Sequence, residues 1–478
     1  VIENPSALAP FAATALHVVA AGAVTVDAVL RKRHVSAVFG WVGLAWLAPI
    51  VGSFLYVCFG INRIRRNAAE LRLEAAWSAA GTVVGEGSPI ATITRPGFAG
   101  LALVGEQVTG SPVVAGNSIE PLLDGDRAFP AMLAAIDAAE HTISLLSYIF
   151  DNDAVGRRFL AALEAAAARG VQVRVLIDDV GTRYTRPSIV KLLRQAGIPV
   201  ATFLPTRLSP RFRYANLRNH RKIMVVDGRV GFTGGMNIRA GHWLSQSPPS
   251  PIHCLHFQVG GPIVAELQRT FAVDWSFTTG EHLRGDDWFP PLSPAGGVAA
   301  RGVPDGPDAD LDHVLNLLLA AIAVATERIR IVTPYFLPDD AVLRSLQVAA
   351  LRGVAVDIVV PAHSNIPVMD WAVVPQFHWL LQSGCRLHRS GPVFDHTKLV
   401  TVDGYWALVG STNWDTRSLR LNFEYNLECY DAAFASRLDA LIDDKIARAT
   451  PVDRAELDRL PFVARLRNGL ARLLQPYL

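Results

Sequence analysis

The chain has 478 residues, of which 50% are hydrophobic and 18% charged, and its net charge is +2. That length accommodates two or three domains with cores of their own, and a charged share below the usual quarter or so points toward membrane contact. So small a net charge argues against a partner held by bulk charge, and the scattered Cys58, Cys254, Cys385 and Cys429 argue against a zinc site or a disulfide framework.

The chain opens on Val1 rather than Met, consistent with a start that lies upstream or is non-standard. Two hydrophobic segments come first. Residues 35–61 are uncharged over 27 positions. A helix of that length measures about 40 Å, against a hydrocarbon core of about 30 Å. It can span with tilt, Pro49 offering a kink, and a buried core helix seldom stays uncharged for so long. Residues 7–30 are the weaker candidate, because they contain His17 and Asp27. An Asp at mid-membrane costs about 2.5–3.5 kcal/mol, although Asp27 lies near the segment's end and can reach the interface. A short hairpin and a re-entrant helix both fit; a signal peptide fits less well, since no basic stretch precedes it. Arg31, Lys32 and Arg33 separate the segments, and Arg63, Arg65 and Arg66 follow the second. The positive-inside rule therefore points both ways and orientation stays open.

Residues 67–80 read as a helix leaving the membrane, and the Gly- and Pro-punctuated stretch 81–116 as a connection. From Ile119 the patterns alternate: strand 142–149, helix 154–168, strand 172–177, helix 188–195, strand 200–204, then a strand from Lys222. The second half repeats the order, with strand 329–333, helix 339–352, strand 354–360, helix 377–382 and a strand from Lys398. Two α/β units packed face to face about a pseudo-two-fold are expected, joined by the Pro- and Gly-rich stretch 291–307. The domain plan is thus membrane segments 1–66, connection 67–116, first repeat 117–290, linker 291–307, second repeat 308–450 and tail 451–478.

The two strands beginning at Lys222 and Lys398 belong to a stretch present twice. His220, Lys222, Asp227, Gly234 and Asn237 recur as His396, Lys398, Asp403, Gly410 and Asn413, at one constant offset of 176 residues. A lone His-x-Lys is common and usually marks a solvated strand; five positions kept in register mark an internal duplication. Residues i and i+2 of a strand face the same way, so imidazole and ammonium can meet one ligand. If the copies converge, two imidazoles, two ammoniums and two amides form a metal-free site for a phosphodiester. One histidine can attack phosphorus while the other protonates the departing alkoxide and later deprotonates the incoming alcohol. Asp227 and Asp403, grouped with the catalytic set by the motif, each end a strand before Gly and can equally fix the turn.

The paired HxKxxxxD motifs resemble those of the phospholipase D superfamily, and more specifically its bacterial cardiolipin synthases. Further stretches carry the likeness: Asn216–Lys222, Gly231–Asn237, Thr333–Asp339 and Arg417–Glu424. It runs from about Val108 to the C-terminus, and the family also carries an N-terminal membrane hairpin. The resemblance implies two phospholipase D-like α/β/α sandwich repeats behind a membrane helical hairpin. It implies transphosphatidylation, in which one phosphatidylglycerol passes its phosphatidyl group through a phosphohistidine to a second, giving cardiolipin and glycerol. Diester is exchanged for diester, so no ATP and no cofactor or metal is called for. By analogy His220 is the nucleophile and His396 the acid/base, with the reverse left open. The expected partners are anionic phospholipids (phosphatidylglycerol and cardiolipin) and the membrane, not nucleic acid. The expected location is the bacterial inner membrane, multi-pass or hairpin-anchored, with oligomeric state open and a homodimer among the options.

In related synthases a carboxylate downstream of each motif orients its histidine. Glu424 fits that role for His396, whereas the corresponding place for His220 holds Cys254, and a thiol cannot hold an imidazolium as a carboxylate does. Arg207, Arg211, Arg213, Arg218, Arg221 and Lys222 form an acid-free basic cluster, either a solvated loop or a contact for anionic headgroups, with Arg218 the candidate nearest the motif. Tyr148 and Tyr335, near the ends of the first strands of the repeats, are candidates to line the site, against a plain core role. Phe462, Leu466, Leu470, Leu473, Leu474 and Tyr477 recur at near-helical spacing beside Arg465, Arg467 and Arg472. A helix lying in the membrane interface and one packed on the catalytic core both fit. A nuclease needs no membrane segment, and a non-catalytic lipid binder would be expected to lose a His or Lys. A hydrolytic phospholipase D, using water as acceptor, is the nearest rival.

Overall fold

The computed structural model describes residues 5–31, 35–60, 93, 95–205, 216–308, 310–475 and 478. The expected helix 67–80, the first part of the connection, Arg207, Arg211 and Arg213, and Tyr477 lie outside these residues.

The first hydrophobic segment is one helix, Pro5–Arg31. Its Pro10–Arg31 portion is the one described helix long and apolar enough to cross a membrane. The second segment is not a single helix. It breaks into Val35–Leu47, Val51–Leu55 and a π-helical turn Tyr56–Gly60. This reverses the expected ranking of the two segments, and Pro49 is the reason: it lacks an N–H and disfavours helix in the residue before it. Ile50 then takes a positive φ of 62°. Gly52 comes so close to the preceding helix that a Cβ there would lie 2.1 Å from the Leu44 carbonyl oxygen. The segments form a hairpin packed through Ala21, Val24, Ala28, Ala45 and Tyr56. The Asp27 carboxylate accepts a 2.6 Å hydrogen bond from the Tyr56 hydroxyl and pairs with Arg31 at 2.9 Å, so this acid is answered within the hairpin.

The rest of the chain is α/β. Its first half contains β1 (Val114–Leu123), β2 (Thr142–Ser147), β3 (Gln172–Asp178), β4 (Val200–Phe203), β5 (Arg218–Asn219), β6 (Ile223–Val226), β7 (Val230–Gly234), β8 (Ile252–His253) and β9 (Leu255–Gly260). Its second contains β10 (Val298–Asp305), β11 (Arg328–Val332), β12 (Phe336–Leu337), β13 (Ala355–Val360), β14 (Arg386–Arg389), β15 (Phe394–Asp395), β16 (Leu399–Val402), β17 (Trp406–Gly410), β18 (Trp414–Asp415), β19 (Asn422–Tyr430) and β20 (Thr450–Pro451). The main sheet runs β20-β14-β13-β11-β16-β17-β19-β10-β1-β9-β7-β6-β2-β3-β4. Apart from β20, that order reads the same from either end once the halves are matched, so the duplication is visible in the topology. The halves join edge to edge through the antiparallel β1–β10 pair rather than face to face.

Each half has its own core: Phe129, Phe159, Val175 and Phe232 in the first, and Leu318, Ile331, Ile358 and Trp406 in the second. The motif strands β6 and β16 are buried along their whole length; β6 is wholly apolar, and the one polar side chain of β16, Thr401, donates to Asp439 at 2.6 Å. Each turns into the next strand through Asp-Gly with both residues at positive φ (51° and 61° in each copy), the turn that suits a tight hairpin.

Those turn aspartates hold neighbouring backbone. The Asp227 carboxylate accepts the backbone N–H groups of Glu140, His141 and Thr142 at 2.7–3.0 Å. Asp403 accepts those of Thr326, Glu327 and Arg328, and the Thr326 hydroxyl, all at 2.8 Å. Each lies at the far end of its strand from the motif histidine and ties down the start of the neighbouring strand.

Candidate active site

Each motif histidine follows a two-residue strand that pairs with the opposite half. β5 pairs in parallel with β19, and the His220 N–H donates to the Phe423 carbonyl at 2.8 Å. β15 pairs in parallel with β8, and the His396 N–H donates to the His253 carbonyl at 2.7 Å. The residue after each accepting carbonyl is therefore delivered to the histidine of the other repeat.

For His220 that residue is Glu424, whose carboxylate oxygens lie 2.9 and 3.0 Å from Nδ1. For His396 it is Cys254, whose thiol reaches the His396 carbonyl oxygen at 3.4 Å while Nδ1 donates to the Gly235 carbonyl at 3.0 Å. The expected partnership is thus reversed: Glu424 serves His220, and Cys254 stands beside His396. Pairing each histidine with the position downstream in its own repeat overlooks the exchange made by β5 and β15.

The two imidazole rings are 6.4 Å apart at an interplanar angle of 79°. Lys222 and Lys398 donate back to the carbonyls of His220 and His396, at 2.5 and 2.8 Å. All four motif side chains are buried. Glu424 is fully buried, is held by the Ser411 hydroxyl (2.5 Å) and the Asn422 amide (3.3 Å), and stays ionised because His220, Lys222 and Ser411 outweigh its desolvation. Burial pushes His220 down to about 4 despite the pull of Glu424, and pushes His396 well below its usual range, with Lys398 and Lys222 adding to the effect. Burial also lowers Lys222 to about 7 and Lys398 to about 8, and raises the Cys254 thiol to about 12. Both imidazoles are then neutral with the proton on Nδ1, fixed by Glu424 in one case and by Gly235 in the other. That tautomer leaves the lone pair of each ring on Nε2.

Tyr148 lies edge-on to His220 at 5.0 Å between ring centroids, and Tyr335 to His396 at 6.3 Å, with its hydroxyl donating to Asn365 at 2.6 Å. The Asn237 carbonyl oxygen accepts the Ile149 N–H at 3.2 Å, while the Asn413 amide meets Ser418 at 3.0 Å. Arg218 is buried, 3.5 Å from Asp178, so it is placed for an internal ion pair rather than for exposed headgroup contact. Arg221 is also buried, its guanidinium on Asp274 at 2.9 Å, and Asn219 donates to the same carboxylate at 2.8 Å. Sequence reasoning missed His242, buried with its ring 6.4 Å from that of His396, and the Gly235 carbonyl. Neither carries a signal in the duplication: the offset from His242 falls on Ser418, and a carbonyl has no residue signature. Among the described residues no cluster suited to a metal ion exists.

Residues 132–275 and 318–446 match the family described as cardiolipin synthase, PLD-like domain. The chain is 31% identical to the major cardiolipin synthase of Bacillus subtilis, covering 94% of this chain and 95% of that protein. It is 35% identical to cardiolipin synthase A of Pseudomonas aeruginosa, covering 95% and 93%. Among solved structures it is similar in fold to the phosphatidylserine synthase of Haemophilus influenzae, with a TM-score of 0.63 at 14% identity over 79% of this chain and all of that one.

Proposed function

Because this chain belongs to the cardiolipin synthase family of phospholipase D-like proteins, we propose that it is a phosphatidyltransferase that joins two phosphatidylglycerol molecules into cardiolipin. The observation that carries the mechanism is the unequal backing of the histidines. His220 has an ionised carboxylate on Nδ1, which stabilises positive charge as Nε2 forms a bond. His396 has only a peptide carbonyl there, which orients the ring without holding its charge, as suits a group that passes protons in both directions.

Binding of the anionic phosphodiester first draws a proton from solvent onto Nε2 of His396; in the first half-reaction Nε2 of His220 then attacks phosphorus, the P–O bond to glycerol breaks, and the alkoxide takes that proton. A phosphatidyl-histidine remains. In the second, His396 removes the proton from the terminal hydroxyl of another phosphatidylglycerol, whose oxygen attacks phosphorus as the P–N bond breaks. Lys222 and Lys398 bind the anionic phosphoryl oxygens. That charge in turn raises the affinity of His396 for the proton it must carry. Asn237 and Asn413 supply amides at the same pair of strand ends. Selection of a lipid alcohol over water is a matter of excluding water from this buried site.

We propose that the protein acts at the bacterial inner membrane with Pro10–Arg31 as an anchor, a reading supported by the family and by the length and apolar composition of that helix. The test is the purified protein with phosphatidylglycerol vesicles and full lipid analysis, phosphatidylethanolamine being offered as a second donor. Cardiolipin with release of glycerol is expected. Phosphatidic acid without cardiolipin would identify water as the acceptor and overturn the reading.

A further inference from the structure

The tail contains a helix, Phe462–Arg472, that docks through its less apolar side. Asn468 and Ala471 are its buried positions, and its arginines bind the body: Arg467 lies over the Trp371 ring at 4.7 Å and Arg472 over Trp379 at 4.3 Å. Both tryptophans belong to the helix Pro367–Gln382. The apolar side chains Phe462, Val463, Leu466, Leu470, Leu473 and Leu474 face outward, each 48–76% exposed. At 100° per residue these six fall within an arc of about 120°, opposite the docked side.

The helix is also tied to the wall of the site. Ala471 packs with Leu337, Met369 and Ala372, against which Tyr335 leans, and Tyr335 flanks His396. Gln475 donates to the Pro338 carbonyl at 2.7 Å, and the Arg417 N–H donates to the Leu478 carbonyl at 3.2 Å. Trp371 and Ile366 are also exposed, and Ile366 directly follows Asn365, the partner of the Tyr335 hydroxyl.

We propose that this outward face lies in the interface of an anionic bilayer and seats the mouth of the active site on the lipid. Charge selects that occupant. The helix carries no acidic residue, and although Arg472 is turned to Trp379 and to Asp340 at 3.7 Å, Arg465 and Arg467 remain exposed on either side of the apolar arc, which suits anionic headgroups around buried side chains. The inference rests on the reading of the protein as an enzyme that takes its substrate from a membrane.

Two arms on the full-length protein test it. In nanodiscs containing phosphatidylglycerol, an environment-sensitive dye is attached at Leu470→Cys; the four native cysteines are buried, so labelling is selective. Blue-shifted emission, quenched by lipids spin-labelled in the acyl chain, is expected, and emission unchanged from that in buffer would overturn the proposal. In the second arm, L466E/L470E is expected to lose on the order of tenfold in rate on vesicle phosphatidylglycerol while keeping its rate on short-chain, monomeric phosphatidylglycerol. Equal loss on both substrates would show a structural role, and no loss on either would show that the face is idle; each overturns the proposal. A wild-type protein that makes no cardiolipin in either presentation would overturn the functional reading, while the dye at position 470 still decides this one.

Discussion

Glu424 lies 204 residues beyond His220, yet its carboxylate sits 2.9 Å from the imidazole Nδ1, where His396 has only the Gly235 carbonyl at 3.0 Å. This contact crosses between the repeats and makes two similar half-sites unequal.

Replacing Glu424 by Gln removes the charge and keeps the shape. By comparison with the loss of an orienting carboxylate behind a catalytic histidine, turnover should fall about 10²–10⁴-fold with little change in KM. Steady-state kinetics of Glu424→Gln check this; a rate within a few-fold of wild type would remove the carboxylate from the mechanism.

Asp403 makes a contrasting case. Asp403→Ala leaves the N–H groups of Thr326, Glu327 and Arg328 without their acceptor and puts alanine at a positive φ. The expected cost is about 2–4 kcal/mol of stability, with the rate per folded molecule unchanged. Urea unfolding combined with active-site titration separates the two quantities, and a stable but inactive variant would return Asp403 to the chemistry.

Cys254→Asp restores a carboxylate to the position but not to a role. The thiol is buried against the carbonyl oxygens of His396 and Leu255, and the Nδ1 proton of His396 is already given to Gly235. The new anion would face two acceptors, so a lower melting temperature and no gain in rate are expected. A faster enzyme would mean that His396 turns to use the carboxylate.

The lysines predict proton uptake. Lys222 and Lys398 are held down to about 7 and 8 in the empty site, and a bound anion stabilises their charged forms and so raises both values. Above the lower of these values the anion must bring protons with it, so its affinity should fall by up to about tenfold per lysine for each pH unit climbed. Calorimetry with a soluble glycerophosphodiester at pH 8, in buffers of different ionisation enthalpy, should show net uptake. Proton release, or affinity independent of pH, would contradict the assignment.

Much of the site was legible in the sequence because the duplication repeats side chains at one offset, and side chains at i and i+2 of a strand share a face. The fold class followed from the alternation of strand and helix patterns around those motifs. What was not legible is pairing at long range. Nothing in the order Asn219-His220 and Asp395-His396 says that β5 joins β19 or that β15 joins β8, and the partner of each histidine depends on that exchange. Length and lack of charge favour residues 35–61 over residues 7–30 as the span, whereas Pro49 and the positive φ of Ile50 break the uncharged segment outright and the Tyr56–Asp27 hydrogen bond answers the acid in the other. The outward face of the Phe462–Arg472 helix is a matter of which side docks, and the arginine–tryptophan contacts that decide it join residues far apart in the chain.

The most direct test of the central claim is to find which histidine carries the phosphatidyl group. Wild-type protein mixed with phosphatidylglycerol, quenched within milliseconds at alkaline pH and digested for mass spectrometry, should show an acid-labile phosphatidyl adduct on the peptide containing His220. The same experiment on His220→Ala should show none. An adduct on the peptide containing His396, or turnover with no adduct on either, would contradict the account.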